Sequence, residues 1–108
     1  MIILHNMYLK NYPVLKIKKD ILSILEKYLD VSKYKIFFFG SRVIGAKDDR
    51  SDIDIGIEGE EKISREIMRN IREEMKNIRI LYKIDFVDFK NVSSDFKKIA
   101  LQNIEKIL

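Results

Sequence analysis

The sequence predicts an α/β (α+β) protein, a small mixed β-sheet with helices packed on it, built as one domain over residues 1–108. Three patterns predict it. Apolar residues recur at helical spacing between Ile17 and Leu29, an aromatic and β-branched run from Tyr34 to Phe39 halts at Gly40, and Ser51 to Ile57 alternates residue by residue. Strand patterns interleaved with helical ones are the signature of that class. At 108 residues the chain has the size of a single core, and no internal repeat, low-complexity tract or proline-rich linker divides it.

Taken in order, Ile17, Ile21, Leu22, Ile24, Leu25, Tyr28 and Leu29 form the apolar stripe of a first helix. Tyr34–Phe39 reads as a buried strand ending in a turn at Gly40. In Ser51–Ile57 the residues Ile53, Ile55 and Ile57 take one face and Asp52 and Asp54 the other, because strand side chains change sides at every residue. Glu60–Arg79 carries Ile63, Ile67, Ile71, Met75 and Ile78 on one stripe and predicts a second helix. Leu81–Phe89 is a further strand. Ser93, Ser94 or Asp95 caps a last helix whose apolar face uses Phe96, Ile99, Ala100, Ile104 and Ile107.

Composition narrows the classes of function. Hydrophobic residues at 46% and charged ones at 35% fit a packed core under a charged surface rather than a disordered chain. No apolar run reaches the ~20 residues that span a bilayer, and the amino terminus lacks the apolar core of a secretory signal, so the expected location is the cytoplasm and no membrane is expected as a partner. With no cysteine and His5 as the one histidine, disulfides and thiolate zinc sites are excluded. A net charge of +4 favours attraction to anions without naming one.

Asp52 and Asp54 carry the chemistry. Residues two apart on a strand lie about 6.5 to 7 Å apart and lean to one side. Two-metal phosphoryl sites hold their ions about 3.5 to 4 Å apart, so such a pair can serve both. Mg²⁺ suits these ligands because it takes oxygen donors and completes its shell with water and phosphate oxygens. A third acid is needed for the ion that activates an attacking hydroxyl. Asp85 and Asp88, three residues apart, face opposite sides of a strand, so only one enters the site. Asp85 is expected there, because between Ile84 and Phe86 an unpaired carboxylate is costly unless a metal compensates it; Asp88, nearer the strand end, is expected to stay solvated.

The other half of the site is Gly40-Ser41. Glycine lets backbone approach phosphate, amides at a following helix start donate to it, and the Ser41 hydroxyl adds a donor. Arg42 and Lys47 are nearby cations, each a candidate for neutralising phosphate or an ordinary surface residue. The Gly40–Gly45 segment is not a P-loop, since Ala46-Lys47-Asp48 stands where Gly-Lys-Ser/Thr is required. An EF-hand fails too: with Gly56 at its glycine position, Ser51 and Ile53 fall where oxygen-rich ligands belong.

Gly40-Ser41, ten intervening residues and then Asp52-x-Asp54, with Gly45 and Ser51 also matching, resembles the minimal nucleotidyltransferases of the DNA polymerase beta superfamily, particularly the antitoxin-like members. Ile84-Asp85-Phe86-Val87-Asp88 looks like the strand that carries that family's third acid. Val43 and Ile44 depart from the small and often basic residues common after Ser-Arg there. The resemblance implies a polymerase beta-like core, ATP as substrate, two Mg²⁺ ions, and transfer of AMP to a hydroxyl, in the antitoxin branch a tyrosine of a partner HEPN ribonuclease toxin. It implies catalytic and metal-binding roles for Asp52, Asp54 and Asp85 and nucleotide contacts for Gly40, Ser41, Arg42 and Ser51.

Two other classes compete: an antitoxin that neutralises its partner by occlusion without catalysis, and a transferase acting on a small molecule, for which so short a chain offers little room. Nucleic acid is not expected as the direct substrate. Arg65, Arg69, Arg72, Lys76 and Arg79 share one side of the second helix, where an acidic toxin surface or RNA would fit; Glu66, Glu73 and Glu74 break up that field, and a solvated face is the simpler reading. The tyrosines read as packing residues.

Overall fold

The computed structural model describes residues 2–5, 7–9, 12–45 and 51–108. Nine elements follow in chain order: β1 (Ile3–Leu4), α1 (Val14–Glu26), β2 (Lys35–Phe39), α2 (Ser41–Ile44), β3 (Ile53–Glu58), α3 (Arg65–Met75), β4 (Ile84–Asp88), α4 (Ser94–Ala100) and β5 (Asn103–Lys106). The strands form one mixed sheet in the order β1-β5-β2-β3-β4. The β2 strand runs antiparallel to both β3 and β5, while β3 and β4 are parallel and joined through α3. Their parallel pairing forces α3 to run back along the sheet, opposite to both.

Strand alternation decides what each face does. Ile36 and Phe38 of β2, Ile53, Ile55 and Ile57 of β3 and Phe86 of β4 meet Ile17, Ile21, Ile24 and Leu25 of α1 and Met68, Ile71 and Met75 of α3 in the main core. Each fully buried side chain of this kind contributes roughly 1.5–3 kcal/mol. On the opposite face Phe37, Phe39, Phe89 and Ile104 form a smaller cluster under α4. Phe89 stacks edge-on against Phe37 and Phe39 at 5.0 and 5.1 Å. Gly56 makes this possible: a β-carbon there would fall 2.4 Å from Phe37 Cε2. The aromatic cluster covers only part of its face, and the remainder stays open beside the start of β3 and β4.

The expected α/β class and all six expected helices and strands are present, with three corrections. The second helix is shorter than Glu60–Arg79, because the Ser64 side chain accepts from the Ile67 amide and starts α3 late; Ile63 and Ile78 still pack on the core from flanking segments. The last helix ends at Ala100, and the residues assigned to its final turns form β5. Ile104 and Ile107 are three apart, as on a helix, yet Ile104 joins the α4 cluster and Ile107, beyond the end of β5, joins the main core. Glu105 between them is buried, paired to Lys18 of α1 at 2.7 Å and accepting the Met7 amide. A buried acid with such partners erases the polar face that would mark a strand. The third correction is β1, two residues whose pairing with β5 has no local pattern to announce it.

Candidate active site

Three carboxylates reach the open face from two adjacent strands. Asp54 pairs in register with Asp85 across the parallel β3–β4 ladder and with Phe39 across β2, so these side chains share a face. Asp52 precedes it by two residues on the same side. The Asp54 carboxyl is pushed up from 3.8 to about 6, first by burial and then by the negative charges of Asp85 and Asp52. Like charges are thus held close in a partly dry setting, a state that a bound cation relieves.

Gly40 closes the site from β2. It leaves the strand with φ of +83°, a conformation that side chains resist, and a β-carbon on it would fall 2.2 Å from Asp54 Oδ2. The backbone of the Gly-Ser turn therefore lies directly against the central carboxylate. Ser41 is exposed at the first residue of α2, on the solvent side of that turn.

Arg42 is not an ordinary surface cation. It is buried, its Nε donates to the Ser51 carbonyl at 2.7 Å, and its guanidinium lies 4.0 Å over the Tyr82 ring. It thereby joins the turn after β2 to the residue before Asp52 and to the approach to β4. Ser51 is held through its backbone and is half-buried. Sequence carries no signal for this tie, since the three parts meet only in the fold. Lys47 lies outside the described residues.

The two acids of β4 reverse their expected environments. Asp85 is exposed, because β4 is the edge of the sheet and its open face is uncovered there. Asp88 is buried on the helix face, with Oδ2 accepting from the Ile63 amide at 2.8 Å and Oδ1 from the Lys90 amide at 3.0 Å. Asp85 stands beside Asp54, and Asp88 is a structural acceptor.

Among the described residues no group of three or more acidic, histidine or cysteine side chains is arranged to hold a metal ion by itself. A closed cage is not what Mg²⁺ asks for: it commonly uses one or two carboxylates and takes its other ligands from water and phosphate. An all-oxygen donor set on an open face, with Asp54 carrying the strain of its neighbours' charge, fits such an ion.

A parallel β-α-β unit with Asp-x-Asp on its first strand, an acid in register on its second and a Gly-Ser turn against the pair defines a nucleotidyltransferase. Residues 19–108 match the family described as "Polymerase beta, Nucleotidyltransferase", and the chain belongs to it. It is 30% identical over 91 residues to the probable protein adenylyltransferase MntA of Haemophilus influenzae, a match covering 82% of this chain and 80% of that protein. In fold it resembles a chain of a toxin–antitoxin crystallised with AMP-PNP, with a TM-score of 0.68 at 18% identity over 84% of this chain and 72% of that one. A chain of the complex of tri-AMPylated Shewanella oneidensis HEPN toxin with MNT antitoxin gives 0.58 at 16% identity, covering 88% and 72%. Among the described residues no helix is long and apolar enough to cross a membrane.

Proposed function

We propose that this protein transfers AMP from ATP to a tyrosine hydroxyl of a partner HEPN toxin and so acts as its antitoxin. The observation that carries the reading is the contact of the Gly40 backbone with Asp54, flanked by Asp85 in register and Asp52 on the same face. Kinship with MntA supports AMP as the group and a protein as the acceptor. The neighbouring structures, with AMP-PNP and an AMPylated HEPN toxin, support the nucleotide and the partner class.

Asp52, Asp54 and Asp85 would hold two Mg²⁺ ions, which when bound neutralise triphosphate charge and polarise the α-phosphoryl group. Gly40 admits the phosphates to the backbone, and the Ser41 and Ser51 hydroxyls donate to their oxygens. Arg42 fixes the turn and Ser51 so that these donors and Asp52 keep their places. The tyrosine oxygen attacks the α-phosphorus, a new P–O bond forms, and the bond to the pyrophosphate oxygen breaks. The hydroxyl proton passes to Asp85, exposed beside Asp54. Orientation of the two substrates supplies much of the acceleration.

The test incubates the protein with labelled ATP, Mg²⁺ and a purified HEPN protein from the same genome, and reads the acceptor by intact mass. AMP addition that vanishes in Asp52→Asn with Asp54→Asn supports the reading. A stable complex with no transfer rejects it in favour of neutralisation by occlusion.

A further inference from the structure

The five cations of the expected stripe are all exposed, and four of them, without Arg79, come together. Arg65, Arg69, Arg72 and Lys76 line one groove of about 710 Å³ between α3 and the open edge of β4, floored by Met68 and Val87. Of the acids that break up the field in the sequence, the fold keeps Glu66 and Glu74 out of the groove, while Glu73, and Asp88 of β4, line it with their charges already engaged. Glu74 turns to α1, where it accepts from Lys27 Nζ at 2.5 Å and from the Tyr28 hydroxyl. Glu73 is paired with Lys76 at 3.1 Å, Glu66 does not line the groove, and both oxygens of Asp88 are taken by backbone amides. Arg72 is engaged too, donating through Nε and Nη2 to the Phe86 carbonyl at 3.2 and 2.9 Å. Arg65 and Arg69 remain, both exposed, with no hydrogen bond or ion pair to any described residue.

Resting on the protein-acceptor reading above, we propose that this groove docks an acidic segment of the acceptor protein, its carboxylates on Arg65 and Arg69 and an aliphatic side chain on the Met68–Val87 floor. Guanidinium forks match carboxylates in planar pairs, and an apolar floor inside a charged rim is the anatomy of a protein interface. RNA fits less well, because no aromatic side chain lines the groove to stack a base. The groove meets β4 at Val87 and Asp88, the end of the strand that also carries Asp85, so a segment seated there lies beside an element of the proposed catalytic face.

The test measures binding of the HEPN partner by titration calorimetry to wild type, to Arg65→Glu with Arg69→Glu, and to a charge-matched control, Lys19→Glu with Lys98→Glu, on exposed sites elsewhere. The groove variant should weaken Kd by about tenfold or more and flatten its dependence on salt, while the control and the KM for ATP stay near wild type. Equal affinities for the groove variant and the control overturn the proposal, as does Arg65/Arg69-dependent binding of a single-stranded RNA oligomer with partner affinity unchanged. The transfer assay reads the other question separately: wild type that binds its partner through the groove but transfers no AMP refutes the catalytic function and leaves the docking surface standing.

Discussion

On the helix-covered face of the sheet, Asp88 and Glu105 are buried and both are answered, Asp88 by two backbone amides and Glu105 by Lys18 and the Met7 amide. On the open face, Asp52, Asp54 and Asp85 are more exposed, and Asp54 is destabilised as an anion first by its partial burial and then by its two neighbours. A carboxylate thus closes the core on one side and stays charge-frustrated on the other. Burial with full hydrogen bonding marks a group that holds the fold together. Clustering without compensation marks one whose partner arrives from outside. Removing an acid should therefore damage opposite properties depending on the face it comes from.

The largest effect falls on catalysis. On the proposed function, Asp52→Asn with Asp54→Asn should lower AMP transfer by about a thousandfold or more, since both charges would act where the phosphoryl group reacts. Its thermal midpoint should match or exceed that of wild type, because like charges have been removed. A transfer rate within tenfold of wild type, measured by intact mass over time, would break the contrast on the catalytic side.

Asp88→Ala should do the reverse. It strands the Ile63 and Lys90 amides, and an unsatisfied buried group costs about 1–3 kcal/mol. Urea unfolding followed by circular dichroism should show a loss of about 2–4 kcal/mol. Asp85→Asn, three residues away, should unfold like wild type while losing transfer. Equal stability of the two variants would sink the assignment of Asp88 as structural.

The glycines sharpen the comparison. Gly56→Ala drives a β-carbon to 2.4 Å from Phe37 and 2.7 Å from Phe89, and overpacking of that kind costs about 1–3 kcal/mol. Gly40→Ala adds a positive-φ backbone penalty of about 1–3 kcal/mol and displaces the Asp54 carboxylate. At similar stability, Gly40→Ala should lose far more activity than Gly56→Ala, as urea midpoints and transfer rates on the same samples will report.

Much of this architecture is legible in the sequence, and what is not has a physical cause. The alternation of Ile53, Ile55 and Ile57 with Asp52 and Asp54 assigns β3 and its faces directly, because period and chemistry agree. For β4 the alternation separates Asp85 from Asp88, but not which is buried, since that depends on edge position and on the Ile63 amide 25 residues away. The β5 strand hides because Glu105 is satisfied by tertiary partners and Ile104 and Ile107 mimic helical spacing. Arg42 looks like a surface cation until Tyr82 and Ser51 fold around it.

The smallest predicted effect is in the pH dependence of stability. Asp54 has its carboxyl at about 6 in the folded protein against 3.8 ordinarily, so between these values the folded state binds the proton that the unfolded state has released. Its contribution is present at acid pH and is lost as pH rises through about 6. Because Asp54 is half-buried, solvent screening reduces the penalty at neutral pH to about 1 kcal/mol. Urea unfolding from pH 4 to 7.5 without metal should show wild type losing that much relative to Asp54→Asn, whose curve lacks the step. Mg²⁺ binding should be the mirror image, tightening as pH passes 6 because the ion competes with that proton. Parallel curves for the two proteins would mean that Asp54 is already compensated within the chain, and the distinction between the two faces would have to rest on geometry alone.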